Sequence, residues 1–131
     1  MRDPLGQLRE ICRVLRPEGA LIGSTSQLEP YHSRSYWNYT AFGFVVLCVD
    51  AGLIVEELRP GLDGVTLALR SFLGRPAGFT RWWGEESPLN SMIEEQGRKA
   101  SGQPGGEAAA INLRKITFAG QFAFLVRRPA A

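Results

Sequence analysis

The sequence predicts an α/β domain in which parallel strands are joined by helical connections. In the first half, helical and strand patterns alternate at short intervals, an arrangement typical of parallel strands linked by right-handed crossovers. The first strand pattern, ALIG at residues 20–23, is apolar at successive positions, as expected of a strand covered by helices on both faces. The length of 131 residues and the near-average apolar and charged fractions, 44% and 21%, indicate a single domain, residues 1–131.

The first helix is predicted to begin at Asp3, which acts as N-cap, with Pro4 at the first helical position. Apolar residues then recur at spacings of three and four and form one stripe, consisting of Leu5, Leu8, Ile11, Cys12 and Leu15. Pro17 ends this helix, and Gly19 is expected to supply the positive φ of the exit into the first strand.

The second helix is predicted over Ala41 to Ala51, with Thr40 as N-cap and Gly52 in the C′ position. Its apolar residues occupy nearly the whole circumference: Phe42, Phe44, Val45, Val46, Leu47, Cys48 and Val49. Because a helix of this kind is usually buried on more than one side, we expect the same here.

The rest of the chain is less regular. Its predicted elements are a strand over Leu53 to Leu58, a turn over residues 60–64 (PGLDG), a short helix over Val65 to Leu73, a helix from Ser87-Pro88 to about Ala100, a helical turn or two over Ala108 to Leu113, and a last strand over Ile116 to Val126. Asp63 is first of all a turn residue, and Gly120 indicates a bulge or a close packing contact. Trp82 and Trp83 lie in a loop; we expect core packing under that loop, with a lid over a ligand as the alternative.

Composition argues against several classes of protein. The net charge of +2 is spread along the chain, whereas a nucleic-acid-binding protein needs a basic stripe. The longest apolar run, Ala41 to Val49, is too short to span a membrane, and the helix start at Asp3 does not fit a signal peptide. Cys12 and Cys48 fall within apolar patterns, which predicts that they are buried thiols and not a disulfide or a pair of metal ligands. These features predict a soluble, cytoplasmic domain without a metal site.

Three segments carry a resemblance to class I S-adenosylmethionine-dependent methyltransferases of the methyltransferase type 11 kind. LREICRVLRPEGALIG, residues 8–23, resembles the helix that follows the family's fourth strand, the R-V-L-K/R-P-G-G turn and the entry into the fifth strand. Residues 29–53 are similar to the family's loop rich in histidine and aromatic residues, together with the helix after it. FAGQFAFLVRRP, residues 118–129, resembles the antiparallel seventh strand. One departure is Ala20, where the family has a second glycine.

The resemblance implies the rear half of a Rossmann-like methyltransferase sheet, with two parallel strands and the antiparallel last strand between them. It also implies S-adenosylmethionine as cofactor and methyl transfer to a small-molecule acceptor. No cofactor-binding residue is identifiable, because no G-x-G-x-x-G or close variant follows a strand; GQPGGE at residues 102–107 lies between helical segments. The strand that precedes the first helix in the family is also missing from the sequence.

Two functions remain open after this comparison. In the first, the chain is an enzyme or its acceptor-side part, and the cofactor-binding half comes from an upstream extension or a partner chain. In the second, it is a non-catalytic module, dimeric, for interaction or ligand binding. In both, the strand Ala20 to Ser24 is an apolar edge with unpaired backbone groups, so we expect self-association or a partner chain to cover it. Autonomous catalysis is not expected.

The loop after the first strand holds the candidate site residues, since ligands of open parallel sheets bind at the carboxyl ends of the strands. His32, the only histidine, is the catalytic candidate: it would orient a substrate or take a proton, or else make a structural hydrogen bond in a surface loop. Glu29 is a weaker candidate for a base or for the partner of a substrate cation, and the favoured alternative is a solvated loop carboxylate. The aromatic residues of this loop are expected to line an acceptor pocket, to pack the loop against the next helix, or to do both. They are Tyr31, Tyr36, Trp37 and Tyr39.

Overall fold

Five α-helices, one 3-10 helix and three strands make up the described part of the chain, residues 2–30, 35–100 and 106–130 of a computed structural model. In chain order they are α1 (Pro4–Val14), β1 (Ala20–Ser26), α2 (Ala41–Asp50), β2 (Ile54–Pro60), α3 (Gly64–Phe72), the 3-10 helix (Ala77–Trp83), α4 (Pro88–Ala100), α5 (Gly106–Phe118) and β3 (Gln121–Arg127). The predicted α/β class is confirmed. No described helix is both long enough and apolar enough to cross a membrane.

The three strands form one sheet in the order β1-β3-β2. The last strand is antiparallel to both neighbours, with Gly23 opposite Phe124 on one side and Val55 opposite Val126 on the other. It follows that β1 and β2 run in the same direction but do not pair with each other. The register of β2 shifts between Val55 and Glu57, which places a bulge at the edge of the sheet.

Helices α1 and α2 pack on one face of this sheet. The buried cluster joins Leu8 of α1 and Phe44 of α2 to Phe122 and Val126 of β3, and the rest of the predicted α1 stripe packs against it. The N-cap prediction is confirmed as well, since Asp3 Oδ1 accepts a hydrogen bond of 2.9 Å from the backbone N–H of Gly6. Phe122 and Val126 are four residues apart and therefore lie on the same face of β3, to which they hold both helices.

The exit from α1 differs from the prediction. Glu18, not Gly19, has the positive φ, at 60°. Its N–H donates to the carbonyl of Arg128, 3.1 Å away, and this contact with the end of β3 holds the left-handed residue in place. Gly19 is needed for a different reason, because a Cβ there would lie 2.7 Å from the carbonyl oxygen of Arg16.

The expected burial of α2 on more than one side is wrong for the described residues. Thr40 and Gly52 terminate the helix as predicted, but Phe42 is 79% exposed and Val49 62% exposed. The strand β1 is likewise covered on one face only, and Ile22 on its other face is 77% exposed. Because α1 and α2 share one face of the sheet, they leave Ile22 on the other face of β1 uncovered, and no described element covers the outer side of α2 that carries Phe42 and Val49.

The last strand begins five residues later than predicted, because Ile116 and its neighbours extend α5 to Phe118. Gly120 then passes close to the start of α3: its N–H donates to the carbonyl of Leu62 at 2.8 Å, and a Cβ would lie 3.2 Å from Gly64 Cα. A close packing contact, one of the two predicted reasons for this glycine, is therefore what the structure contains.

Candidate functional site

Amide side chains hold the described ends of the loop between β1 and α2. Gln27 Nε2 donates to the carbonyl of Ile116 at 2.7 Å, and its Oε1 accepts from the N–H of Ala41 at 2.7 Å. Asn38 Nδ2 donates to the carbonyls of Gln27 and Glu29. The loop is thus anchored at the carboxyl end of β1, where the sequence analysis placed the candidate residues. His32 and Tyr31 lie outside the described residues, so their predicted roles stay predictions.

Glu29 lies half-buried at the same end of the sheet. Its Oε2 accepts hydrogen bonds from Ser26 Oγ at 2.8 Å and from Gln121 Nε2 at 2.7 Å. The carboxylate therefore orients the side chain of the first residue of β3. Its predicted contact with substrate stays a prediction.

The three described aromatic residues of the loop divide into two groups. Tyr39 is half-buried against the core, where its ring meets Phe44 edge-on with centroids 6.4 Å apart, and burial raises the pKa of its hydroxyl. Tyr36 and Trp37 are 57% and 50% exposed. Tyr39 thus fixes the loop to α2, and Tyr36 and Trp37 stay predicted acceptor-wall residues.

A cleft of about 400 Å³ opens next to this loop, at the carboxyl end of β2 and the start of β3. We call it the tryptophan cleft; the side chains that line it include Ser24, Trp82, Trp83, Glu85, Glu86, Asn90, Lys115 and Gln121. Sequence reasoning did not identify it, because the lining comes from all three strands, the 3-10 helix and the segment after it, α4 and α5. The one available signal was the Trp82-Trp83 pair.

The two tryptophans are not core residues, so the favoured prediction for them is wrong. Trp83 is 49% exposed, Trp82 is partly exposed, and the 3-10 helix that carries them has no buried residue. The guanidinium of Arg81 lies 4.1 Å from the centroid of the Trp82 ring, a cation–π contact. Both indoles therefore present aromatic surface to the cleft.

An ion-pair cluster around one buried lysine closes one side of the cleft. Lys115 is only 6% exposed, and its Nζ lies 2.8 Å from Glu86 Oε1 and 2.5 Å from Glu94 Oε1. Burial lowers the pKa of Lys115, but the hydrogen bonds and charges of the two carboxylates outweigh it and raise the pKa above its ordinary value. The bond to Lys115 in turn lowers the pKa of Glu94. Lys115 is thus a doubly paired cation and not a free amine base.

Asn90 has an unmet hydrogen-bonding group. Its Nδ2 donates to the carbonyl of Gly61 at 3.2 Å, whereas its buried Oδ1 accepts no hydrogen bond from any described residue. The N–H of Asn90 points to Ser87 Oγ, and Ser87 in turn donates to the carboxylate of Asp63. Asp63, which is fully buried, also accepts from the N–H of Thr66 at 2.8 Å. It therefore does more than form a turn, because it joins the starts of α3 and α4.

Comparison with known proteins identifies a fold but no family. No protein-family model matches the chain, and no curated protein matches it. Among solved structures, it is similar to the crystal structure of the [4+2]-cyclase SpnF, with a TM-score of 0.50 and 18% sequence identity. SpnF has an S-adenosylmethionine methyltransferase-like fold. The match covers 100% of this chain and 46% of the SpnF chain, so this chain spans about half of that length. The likeness shows a methyltransferase-like fold.

The turn after β2 does not fit S-adenosylmethionine. The turn after β2 contains Gly61 and Gly64, but a Cβ on them would lie 3.0 Å from the carbonyl of Gln121 and 3.1 Å from that of Leu28. These glycines are thus packed against protein and leave no open backbone cradle for a cofactor. Nor do the described residues contain a group of three or more His, Cys, Asp or Glu side chains that could hold a metal ion.

Proposed function

We propose that this chain is the acceptor-binding part of an S-adenosylmethionine-dependent methyltransferase that acts on a small molecule. The observation that carries this proposal is the position of the tryptophan cleft in a methyltransferase-like fold. It lies at the carboxyl end of β2, next to that of β1, and ligands of open α/β sheets bind at this end. Its mixture of aromatic surface with a few polar groups is typical of small-molecule sites.

In this proposal the cleft contributes by positioning the acceptor, which is the main requirement for transfer of a methyl group between two bound molecules. Trp82 and Trp83 would hold the flat part of the acceptor, and Gln121, oriented by Glu29, would contact its polar part. His32 stays the proposed proton acceptor in the neighbouring loop.

The cofactor-binding half is proposed to come from polypeptide outside these 131 residues, docked along the free edge of β1. Two observations support this edge. No described strand pairs with it, and the stretch from Gly19 to Leu28 contains no charged residue. The edge strand β2, by contrast, carries Glu56, Glu57 and Arg59, which are the kind of residues that prevent unwanted pairing.

A second candidate function is a non-catalytic, dimeric module that binds a ligand or another protein. It is favoured by the exposed apolar faces of α2 and β1, where Phe42 and Ile22 are more than three-quarters exposed. In this case a second copy of the chain covers the free edge of β1.

The test has two parts, both on the purified chain. Nuclear magnetic resonance screening with small aromatic fragments should shift the indole signal of Trp83, and Trp83→Ala should remove the binding; the absence of any fragment at the cleft would overturn the proposal. Calorimetric titration with S-adenosylhomocysteine, with the mass measured by light scattering, should show no binding at millimolar ligand. Micromolar binding to a dimer would contradict the external cofactor half, and a dimer that binds neither fragments nor the cofactor product would favour the non-catalytic module.

A further inference from the structure

We infer that the tryptophan cleft selects an arylalkylamine, a flat ring system that bears a protonated amino group on a short side chain. This inference rests on the proposed function, since it names the class of molecule that the acceptor site would take. It is drawn from the aromatic surface of the cleft, its hydrogen-bonding groups and its charge.

The aromatic surface sets the flat part of the ligand. Trp82 and Trp83 are adjacent in sequence, both are partly exposed, and both line a cleft of about 400 Å³. This volume suits one small ring system with a short side chain. Arg81 already occupies one face of the Trp82 ring, so the half-exposed ring of Trp83 offers the aromatic surface for a ligand cation.

The cation of the cleft is already used within the protein. Lys115 Nζ is bound by two carboxylates, those of Glu86 and Glu94. A ligand carboxylate therefore finds no unpaired cation among the residues that line the cleft.

Three acceptor oxygens near the cleft are uncommitted. Among the described residues, Asn90 Oδ1 and Gln121 Oε1 accept no hydrogen bond, and the Glu85 carboxylate takes part in no hydrogen bond or ion pair. Asn90 Oδ1 is buried within the protein, whereas Gln121 Oε1 and the exposed Glu85 carboxylate are open to a donor that the ligand brings. An ammonium group carries three such donors.

The charge of the lining favours the same ligand. The cleft is lined by two carboxylates, Glu85 and Glu86, and one ammonium, Lys115. Lys115 is paired with both Glu86 and Glu94, so the Glu85 carboxylate is the unpaired charge of the lining. It attracts a cation and repels a carboxylate, and the guanidinium of Arg81 on the ring of Trp82 partly offsets this charge.

The experiment compares three probes of one shape: 2-phenylethylamine, 2-phenylethanol and phenylacetate. Their binding to the full chain is measured from the amide and indole signals of the cleft. We expect the amine to bind about tenfold more tightly than the alcohol, and phenylacetate most weakly. Added salt should reduce the preference for the amine.

Two variants locate the effect. Glu85→Gln should remove most of the preference for the amine and leave the alcohol unchanged; Glu85 is exposed, so folding is not at risk. The control is Glu95→Gln on α4, an exposed carboxylate paired with Lys99, which should change neither affinity. Equal binding of the three probes, or tightest binding of phenylacetate, would overturn the inference. If these probes fail while other aromatic fragments still shift Trp83, the ligand class is wrong and the acceptor site stands.

Discussion

Replacing Asp63 by alanine should destabilise the protein far more than its position in a turn suggests. Asp63 accepts from the N–H of Thr66 at 2.8 Å, from Thr66 Oγ1 at 2.7 Å and from Ser87 Oγ, and all three residues are buried. The loss of an N-cap costs about 1 kcal/mol. Each hydroxyl left buried without its acceptor adds about 1–2 kcal/mol. The expected total is about 3–5 kcal/mol, a large share of the roughly 5–15 kcal/mol that holds a domain folded.

The chain contains a matched control in Asp3. It caps α1 through the same contact, from the N–H three residues later at 2.9 Å, but it is exposed. Asp3→Ala should therefore lower the free energy of unfolding only by the loss of the N-cap, about 1 kcal/mol. Urea unfolding followed by circular dichroism separates the two: with a slope of about 2 kcal/mol per molar, the midpoint falls by about 2 M for Asp63→Ala and about 0.5 M for Asp3→Ala. A loss at Asp63 no larger than at Asp3 would refute the reasoning, since burial is what distinguishes them. Asp63→Asn, which keeps one acceptor oxygen, should fall between the two.

Three further predictions concern packing, anchoring and pH. Gly120→Ala should lower the free energy of unfolding by about 1–3 kcal/mol, because a Cβ there would lie 3.1 Å from the carbonyl of Leu62 and even closer to Leu67 Cδ1. The control is Gly78→Ala, which has open space around it and should change the free energy of unfolding by no more than about 0.5 kcal/mol. Gln27→Leu removes the bonds to Ile116 and Ala41 and should cost about 2 kcal/mol in the same assay; a cost below about 0.5 kcal/mol would show that the loop is not anchored by this amide. Burial raises the pKa of the Cys48 thiol to about 11, so the unfolded chain loses this proton first and stability falls as the pH rises from 9 towards 11. Over this pH interval the free energy of unfolding of the wild-type protein should fall by about 2–3 kcal/mol more than that of Cys48→Ala. Parallel plots of this free energy against pH for the two proteins would contradict the burial of the thiol.

Much of the candidate site could not be predicted from local sequence patterns. The position of the loop after β1 was predicted correctly, and Glu29 lies at the expected end of the sheet. The cleft itself was missed, because its lining depends on where α4 and α5 return to the sheet. Trp82 and Trp83 illustrate the difficulty: a pair of tryptophans in a loop fits core packing as well as a ligand wall, and only their exposure separates the two.

The order of the elements and most helix ends were determined by the sequence itself. Asp3, Thr40 and Gly52 act on backbone groups within four residues, so their effect does not depend on the rest of the fold. The tertiary structure decided the positive φ of Glu18, which depends on Arg128, and the role of Glu29, whose partner Gln121 is 92 positions away. It also decided which face of α2 is covered. Contacts of this kind arise only when distant segments are brought together, so no periodicity or spacing within a short segment can specify them.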